Sequence, residues 1–208
     1  VKNIEEVIGY KFTDKSLLRQ AFTHSSYVNE HGGDANERLE FLGDCILDFL
    51  VGEKLFYEYP TADEGELSEK RAARVSRNPL ARIVDSLHLM NYLLIGAGVD
   101  KKNFSDKNRS NLFEAVVGAI YIDGGLEACK RFLERRFYPK VVPEYDYKSV
   151  LQKKSGDKYP VYSIAAENSG YSATVAVADK KFCGKGKTKH EAEIAAARAA
   201  CKALFDAE

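Results

Sequence analysis

Glu37, Glu40, Asp44 and Asp48 are separated by three, four and four residues, a spacing that lines them along one face of a helix. Like charges so placed weaken a helix by a few tenths of a kcal/mol per pair, so the row calls for a neutralising partner. Two partners are open: solvent with nearby Lys or Arg, and a divalent cation held by oxygen ligands. A second polar pair, Asn111 and Glu114, sits three apart in the otherwise apolar run N-L-F-E-A-V-V-G-A-I-Y. Burying such groups without partners costs a few kcal/mol, by the usual transfer scale. Glu40 and Asp44, four apart on one helix, can converge on one cation if a second helix brings Glu114 opposite them. Magnesium and manganese prefer hard oxygen ligands of this kind.

Two long helices are needed to carry these groups. Asn36 to Phe49, N-E-R-L-E-F-L-G-D-C-I-L-D-F, is helical in periodicity, with Leu39, Leu42, Ile46, Phe49 and Leu50 as its apolar stripe. It is predicted to run to about Tyr59, where Pro60 and T-A-D-E-G end it. Before it come a short helix over residues 2–9, stopped by Gly9, and a helix capped by Thr13 or Asp14. Thr23-His24-Ser25-Ser26-Tyr27 reads as structural, with His24 satisfied and partly buried, and residues 28–35 read as a loop. Glu64-Gly65-Glu66-Leu67-Ser68 opens a helix whose Lys70, Arg71, Arg74 and Arg77 form a basic stripe. That stripe is open to solvent, to pairing with the acidic row, or to phosphate. Residues 100–110 read as a loop, and Leu126–Phe137 as a last helix before Pro139 and Pro143.

From residue 146 the pattern changes. Asp146–Lys154 reads as a helix. Tyr162–Ala166, Tyr171–Ala178 and Lys180–Lys185 alternate as short antiparallel strands, with turns at Glu167–Gly170 and Asp179-Lys180. Lys189–Phe205 is an alanine-rich helix opened by a Thr188/Glu191 capping box. Residues 1–145 carry a net charge of −3 and residues 146–208 a net of +3. Cys45, Cys129, Cys183 and Cys201 lack the spacing of a zinc site or disulfide set and read as reduced, mostly buried thiols. There is no apolar run near 18 residues and no signal-peptide pattern, so a soluble, cytoplasmic protein without membrane contact is expected.

The run E-R-L-E-F-L-G-D resembles the signature stretch of the ribonuclease III family. D-Y-K-S-x-L-Q and G-K-G-K-T-K-H-E-A-E resemble the double-stranded-RNA-binding domain. The resemblance implies a multidomain α and α+β chain. Residues 1–142 would be an all-helical ribonuclease III domain and 143–147 a linker. Residues 148–208 would be an α-β-β-β-α double-stranded-RNA-binding domain.

It further implies a Mg2+-dependent endoribonuclease, with Mn2+ as substitute and no small-molecule cofactor. Such an enzyme cuts both strands of double-stranded RNA, leaving 5′-phosphate and 3′-hydroxyl ends with short 3′ overhangs. Its expected tasks are processing of ribosomal precursor RNA and message turnover. By match, Glu40, Asp44, Asn111 and Glu114 are the metal ligands, and Glu37 joins Glu40, Asp44 and Glu114 in the catalytic set. Glu64 is a supporting residue. Asn111 stands where the family pattern has Asp, so the alternative is a weak or inactive duplex-RNA-binding protein. Ser149, Gln152, Lys185, Lys187, Thr188, Lys189 and His190 are the expected RNA contacts. One metal cluster per chain implies a homodimer for cutting both strands. Phe41 is the candidate interface residue, with ordinary core packing as its alternative.

Overall fold

The structure, a computed structural model, describes residues 3–141, 145–156, 159–177 and 179–205. Residues 143 and 144 of the expected linker, Pro143 among them, lie outside these, as does Ala178 at the expected end of the second strand. The chain divides into two compact units, Val1–Glu144 and Tyr145–Glu208.

The first unit is helical: α1 (Ile4–Ile8), α2 (Lys15–Ala21), α3 (Ser25–His31), α4 (Glu37–Glu58), α5 (Glu64–Val75), α6 (Arg77–Ser86) and α7 (Asp106–Phe132). Gly9, in the left-handed region at φ 77°, closes α1, and Asp14 caps α2 by accepting from the Ser16 N–H. His24 caps α3 in the same way, accepting from the Ser26 N–H at 3.2 Å, and its ring packs on Phe104. It is therefore the satisfied, half-buried histidine expected of it. Because His24 caps a helix, residues 28–31 belong to α3 and not to the expected loop.

The start of α4 is anchored, not capped. Asn36 is buried, its backbone N–H donating to the Thr23 carbonyl at 2.9 Å and its amide to Ala21 at 3.3 Å. Leu39, Ile46, Leu47, Leu50, Val51 and Leu55 face the core. Phe49 departs from its expected place in the core stripe: it is exposed, with Phe41 and Phe56. Spacings of eight and seven put these three rings on one face of α4, away from the core.

Residues 106–110 are likewise helix and not loop. Ser105 and Asn108 form a reciprocal capping box that starts α7 five residues before the apolar run. Leu112, Phe113 and the run Ala115–Ile120 are buried. Gly125, at φ 72° and ψ −174°, interrupts the helix, and the segment beyond it ends in a π-helical turn over Leu133–Phe137. The expected last helix is thus a kinked continuation of α7. Phe113, Phe132 and Phe137 pack together there, with centroids 5.6 and 5.9 Å apart. No helix among the described residues is long and apolar enough to cross a membrane.

The second unit consists of α8 (Tyr147–Lys154), β1 (Val161–Glu167), β2 (Gly170–Val177), β3 (Lys180–Gly186) and α9 (Lys189–Phe205). The strands form an antiparallel sheet in the order β1-β2-β3. Val150 and Leu151 of α8, Ala173, Val175 and Val177 of β2, and the alanine face of α9 make the core. Glu167 pairs with Gly170, which leaves Asn168 and Ser169 as the first turn. Lys180 pairs with Val177, so it lies in β3, as the expected strand Lys180–Lys185 has it, and not in the second turn. Asp179 takes the left-handed conformation there, at φ 62°. All four cysteines are free, but only Cys129 and Cys201 are buried; Cys45 and Cys183 are exposed, against the expectation that most would be inside.

Candidate active site and basic surface

The acidic row and the polar pair meet because α4 and α7 cross with their backbones in contact. A Cβ added at Gly43 would fall on the Glu114 carbonyl, and one added at Gly118 on the Leu39 carbonyl. Only glycine at both positions allows this approach. It places the side of α4 that carries Glu40 and Asp44 against the side of α7 that carries Asn111 and Glu114.

Glu114 is the most perturbed acid of the group. Burial pushes its carboxyl up to about 7, helped by the negative charges of Asp44, Glu40 and Asp48, with Arg77 acting the other way. Burial also raises Glu40, while the Asn111 amide and the Lys107 ammonium offset part of that rise. Asp44 is raised by burial and by Asp48. These four oxygen donors suit a hard divalent cation. Among the described residues, however, no three His, Cys, Asp or Glu side chains converge closely enough to hold an ion between them.

Two hollows flank the crossing. One, of about 320 Å³, is lined by Glu37, Glu40, Lys107, Asn108 and Asn111, with His24, Asn36 and Leu93. The other, of about 510 Å³, is lined by Glu114 with Val75, Ser76, Arg77 and Asn78 at the junction of α5 and α6. Glu64 lines neither of them and accepts a hydrogen bond from Ser68 at 3.0 Å. The basic stripe divides. Arg71 lies 4.0 Å from Asp48, Arg74 donates to the Lys70 carbonyl, and Lys70 lies over the Tyr59 ring. Arg77 alone of the four faces the hollow at Glu114. Lys107 was missed by the sequence reading, although it lies one turn before Asn111. Treating residues 100–110 as a loop hid that i, i+4 relation. Gly43 and Gly118 were missed as well, since close approach of two helices leaves no mark in a single sequence.

Phe41 is 75 % exposed, so the core-packing alternative does not apply to it within this chain. Exposed Cys45 and Phe49 continue its face.

In the second unit the start of α9 is already engaged from inside. The Glu191 carboxylate accepts from the Lys187 N–H at 2.7 Å and the Thr188 N–H at 3.4 Å, and Thr188 Oγ1 accepts from the Glu191 N–H. An anion there would meet the side chains of Lys187, Lys189 and His190, all exposed, instead of those two backbone groups. Lys185 forms an ion pair with Glu167 at 2.8 Å, and Lys189 lies over the Tyr171 ring. Ser149 donates to Asp146 Oδ2 at 2.7 Å, and Gln152 is exposed one turn on.

Residues 14–141 match the family model described as Ribonuclease-III-like, and residues 143–204 match the double-stranded RNA binding motif. A Ribonuclease 3 of Bacillus cereus is 40% identical over 98% of this chain and 91% of its own length. The chain belongs to the ribonuclease III family. A Ribonuclease 3 of Listeria welshimeri is 37% identical over 98% of this chain and 97% of its own. The solved nuclease domain of ribonuclease III from Campylobacter jejuni superposes with a TM-score of 0.62 at 37% identity. It covers 66% of this chain and 95% of that one, and is described as flexible in a region involved in dimer formation. Within the ribonuclease III domain, the Gly43–Gly118 crossing is thus the joint that brings the signature helix to α7. The binding motif is the α8-β1-β2-β3-α9 unit.

Proposed function

We propose that this chain is a divalent-cation-dependent endoribonuclease that hydrolyses phosphodiesters on both strands of double-stranded RNA. The observation that carries this reading is the α4–α7 crossing, which sets Glu40 and Asp44 opposite Asn111 and Glu114 in a chain of this family. Glu40, Asp44, Asn111 and Glu114 would hold Mg2+ or Mn2+. Their fit rests on the oxygen donor set and on a half-buried Glu114 surrounded by like charge, a condition a cation relieves. A bound cation supplies Lewis acidity to the phosphodiester and activates water. Glu37, in the same hollow as Glu40, supports water positioning or hydrogen bonding, whereas Glu64, which lines neither hollow, keeps only the supporting role that the family match gives it.

The products would be 5′-phosphate and 3′-hydroxyl ends with short 3′ overhangs. The tasks would be ribosomal precursor processing and message turnover in the cytoplasm. The second unit grips the duplex by shape over about 16 base pairs, through Ser149 and Gln152 on α8 and through Lys185, Lys187, Thr188, Lys189 and His190 around α9.

Asn111 favours a second reading, a duplex-RNA-binding protein that cuts weakly, because an amide ligates without charge. Cleavage of a long perfect duplex against magnesium concentration tests both. The unaltered chain is expected to cut, and Asn111→Asp to reach half-maximal rate at roughly tenfold lower magnesium, the scale of a lost metal-site interaction. Coincident curves would show that the missing charge is unimportant. A gel shift of the duplex without products would favour the binding protein.

The active form would be a homodimer built on the exposed face of α4. Phe41→Ala is expected to weaken self-association by roughly 30-fold, as loss of an aromatic anchor does. Sedimentation across a dilution series measures it, and a Phe41→Ala protein that stays dimeric throughout would remove Phe41 from the interface.

A further inference from the structure

Lys107 lies in the first turn of α7 and lines the hollow that also holds Glu37, Glu40 and Asn111. Among the described residues it is the only lysine or arginine in that lining. Its position works against the helix, because a cation near an N-terminus meets the positive end of the dipole. Stabilising α7 is therefore not its role. Nor is it locked to a carboxylate. Lys15, Lys54 and Lys130 of the same unit are ion-paired, with Glu5, Glu134 and Glu53. The Lys107 ammonium makes no ion pair or hydrogen bond among the described residues, although its charge is felt at Glu40. The side chain is exposed at the wall of the hollow.

A hollow walled by Glu37 and Glu40 alone would repel a phosphodiester. An ammonium on a flexible stem at the same wall supplies the missing attraction as a point charge with three donors. We infer that Lys107 contacts a phosphate of the strand being cut, on the Glu40 side of the α4–α7 crossing. This contact presupposes the duplex-RNA reading above and adds to it a substrate-binding residue in the first unit. Lys107 and Asn111 are one turn apart on α7 and line one hollow, so a strand held by Lys107 passes beside the proposed cation ligands. Asn111 takes a negative charge away from the expected set, and Lys107 adds a positive one. Both reduce the repulsion that the acidic row exerts on an anionic strand.

The test is the salt dependence of duplex binding and of cleavage by the full chain. The probe is an RNA duplex of about 30 base pairs, longer than one binding unit spans. Fluorescence anisotropy without divalent cations gives its affinity at a series of ionic strengths. Lys107→Ala is expected to weaken binding roughly 5-fold at low salt and to lower the slope of log affinity against log salt by about 0.9, the share of one phosphate contact. Lys107→Arg should keep both affinity and slope. At saturating magnesium, Lys107→Ala should raise KM by a similar factor and leave kcat within about twofold, as loss of uniform binding does. Its melting temperature should equal or exceed that of the unaltered chain, since the lysine opposes the helix dipole. An unchanged salt slope in Lys107→Ala would overturn the inference, as would an equal loss in Lys107→Arg. Unchanged affinity with a lower magnesium requirement would also overturn it, making Lys107 a competitor of the cation. A clear fall in melting temperature would assign the residue to the fold instead. Where the unaltered chain binds the duplex without cutting it, the binding series alone decides. If it binds no duplex, the duplex-RNA reading itself fails, and this inference with it.

Discussion

Glu114→Gln is expected to reduce cleavage of duplex RNA by more than about 100-fold while leaving duplex affinity within twofold. Losing a residue that merely orients a metal ligand costs about 10- to 100-fold, and a ligand itself should cost more. Gln keeps the volume and one oxygen but not the charge that a cation at this crossing would need.

The same substitution should stabilise the metal-free protein. The Glu114 carboxyl sits at about 7 in the fold against an ordinary 4.5, so between those values the folded state holds the extra proton. Stability of the unliganded fold therefore falls as pH rises from 4.5 through about 7, above which ionising Glu114 costs about 3 kcal/mol. Glu114→Gln removes that cost. Its melting temperature in the presence of a chelator should exceed that of the unaltered chain clearly at pH 8 and much less at pH 5. A variant that cuts normally, or that gains no stability at pH 8, would remove Glu114 from the site proposed for it. Gain of stability with loss of activity is the usual mark of a strained functional group.

Gly43→Ala should have the other large effect. The added methyl would meet the Glu114 carbonyl, a backbone group held within a buried helix, and it cannot be accommodated by a rotamer change. Overpacking of this kind costs about 3 kcal/mol or more, which corresponds to a fall in melting temperature of about 10 °C for a domain of this size. Any surviving fold would hold α4 and α7 further apart, so cleavage should fall with stability. Gly52 provides the control on the same helix. A Cβ there would find only the Arg71 Cδ, at 3.9 Å. Gly52→Ala should be neutral or stabilising by up to about 1 kcal/mol, the helix-propensity difference between Gly and Ala. Circular-dichroism melting of the two variants is decisive. Equal melting temperatures would show that the crossing is not set by glycine.

Local patterns were legible where the signal lies within a few residues. The period of α4, the capping box of α9 and the alternation of the three strands are carried by neighbours in sequence, and each element formed where its pattern placed it. Failures came where a distant partner decides. Phe49 fits the apolar period of α4 but leaves the core, because the direction a helix faces is fixed by what packs on it. Residues 106–110 look polar enough for a loop, yet the Ser105/Asn108 box makes them the first turns of a helix that is buried further on. Lys180, expected also as part of the second turn, pairs with Val177 instead, since the register of a pairing depends on both strands.

The sequence by itself determined the chemistry available to this protein. It supplied a row of carboxylates at helical spacing, a polar pair in an apolar helix, one charge fewer than the family pattern, and a basic second unit. Only the tertiary structure decided which of those carboxylates matter to one another. Two glycines, 75 residues apart in the chain, let α4 and α7 touch. That contact half-buries Glu114 where the charges of Asp44, Glu40 and Asp48 all raise its carboxyl. It leaves Glu64 to Ser68 and Phe41 to the outside. Spacing along a helix follows from the chain's own geometry, whereas the field at a carboxylate depends on what other segments bring within a few ångströms of it.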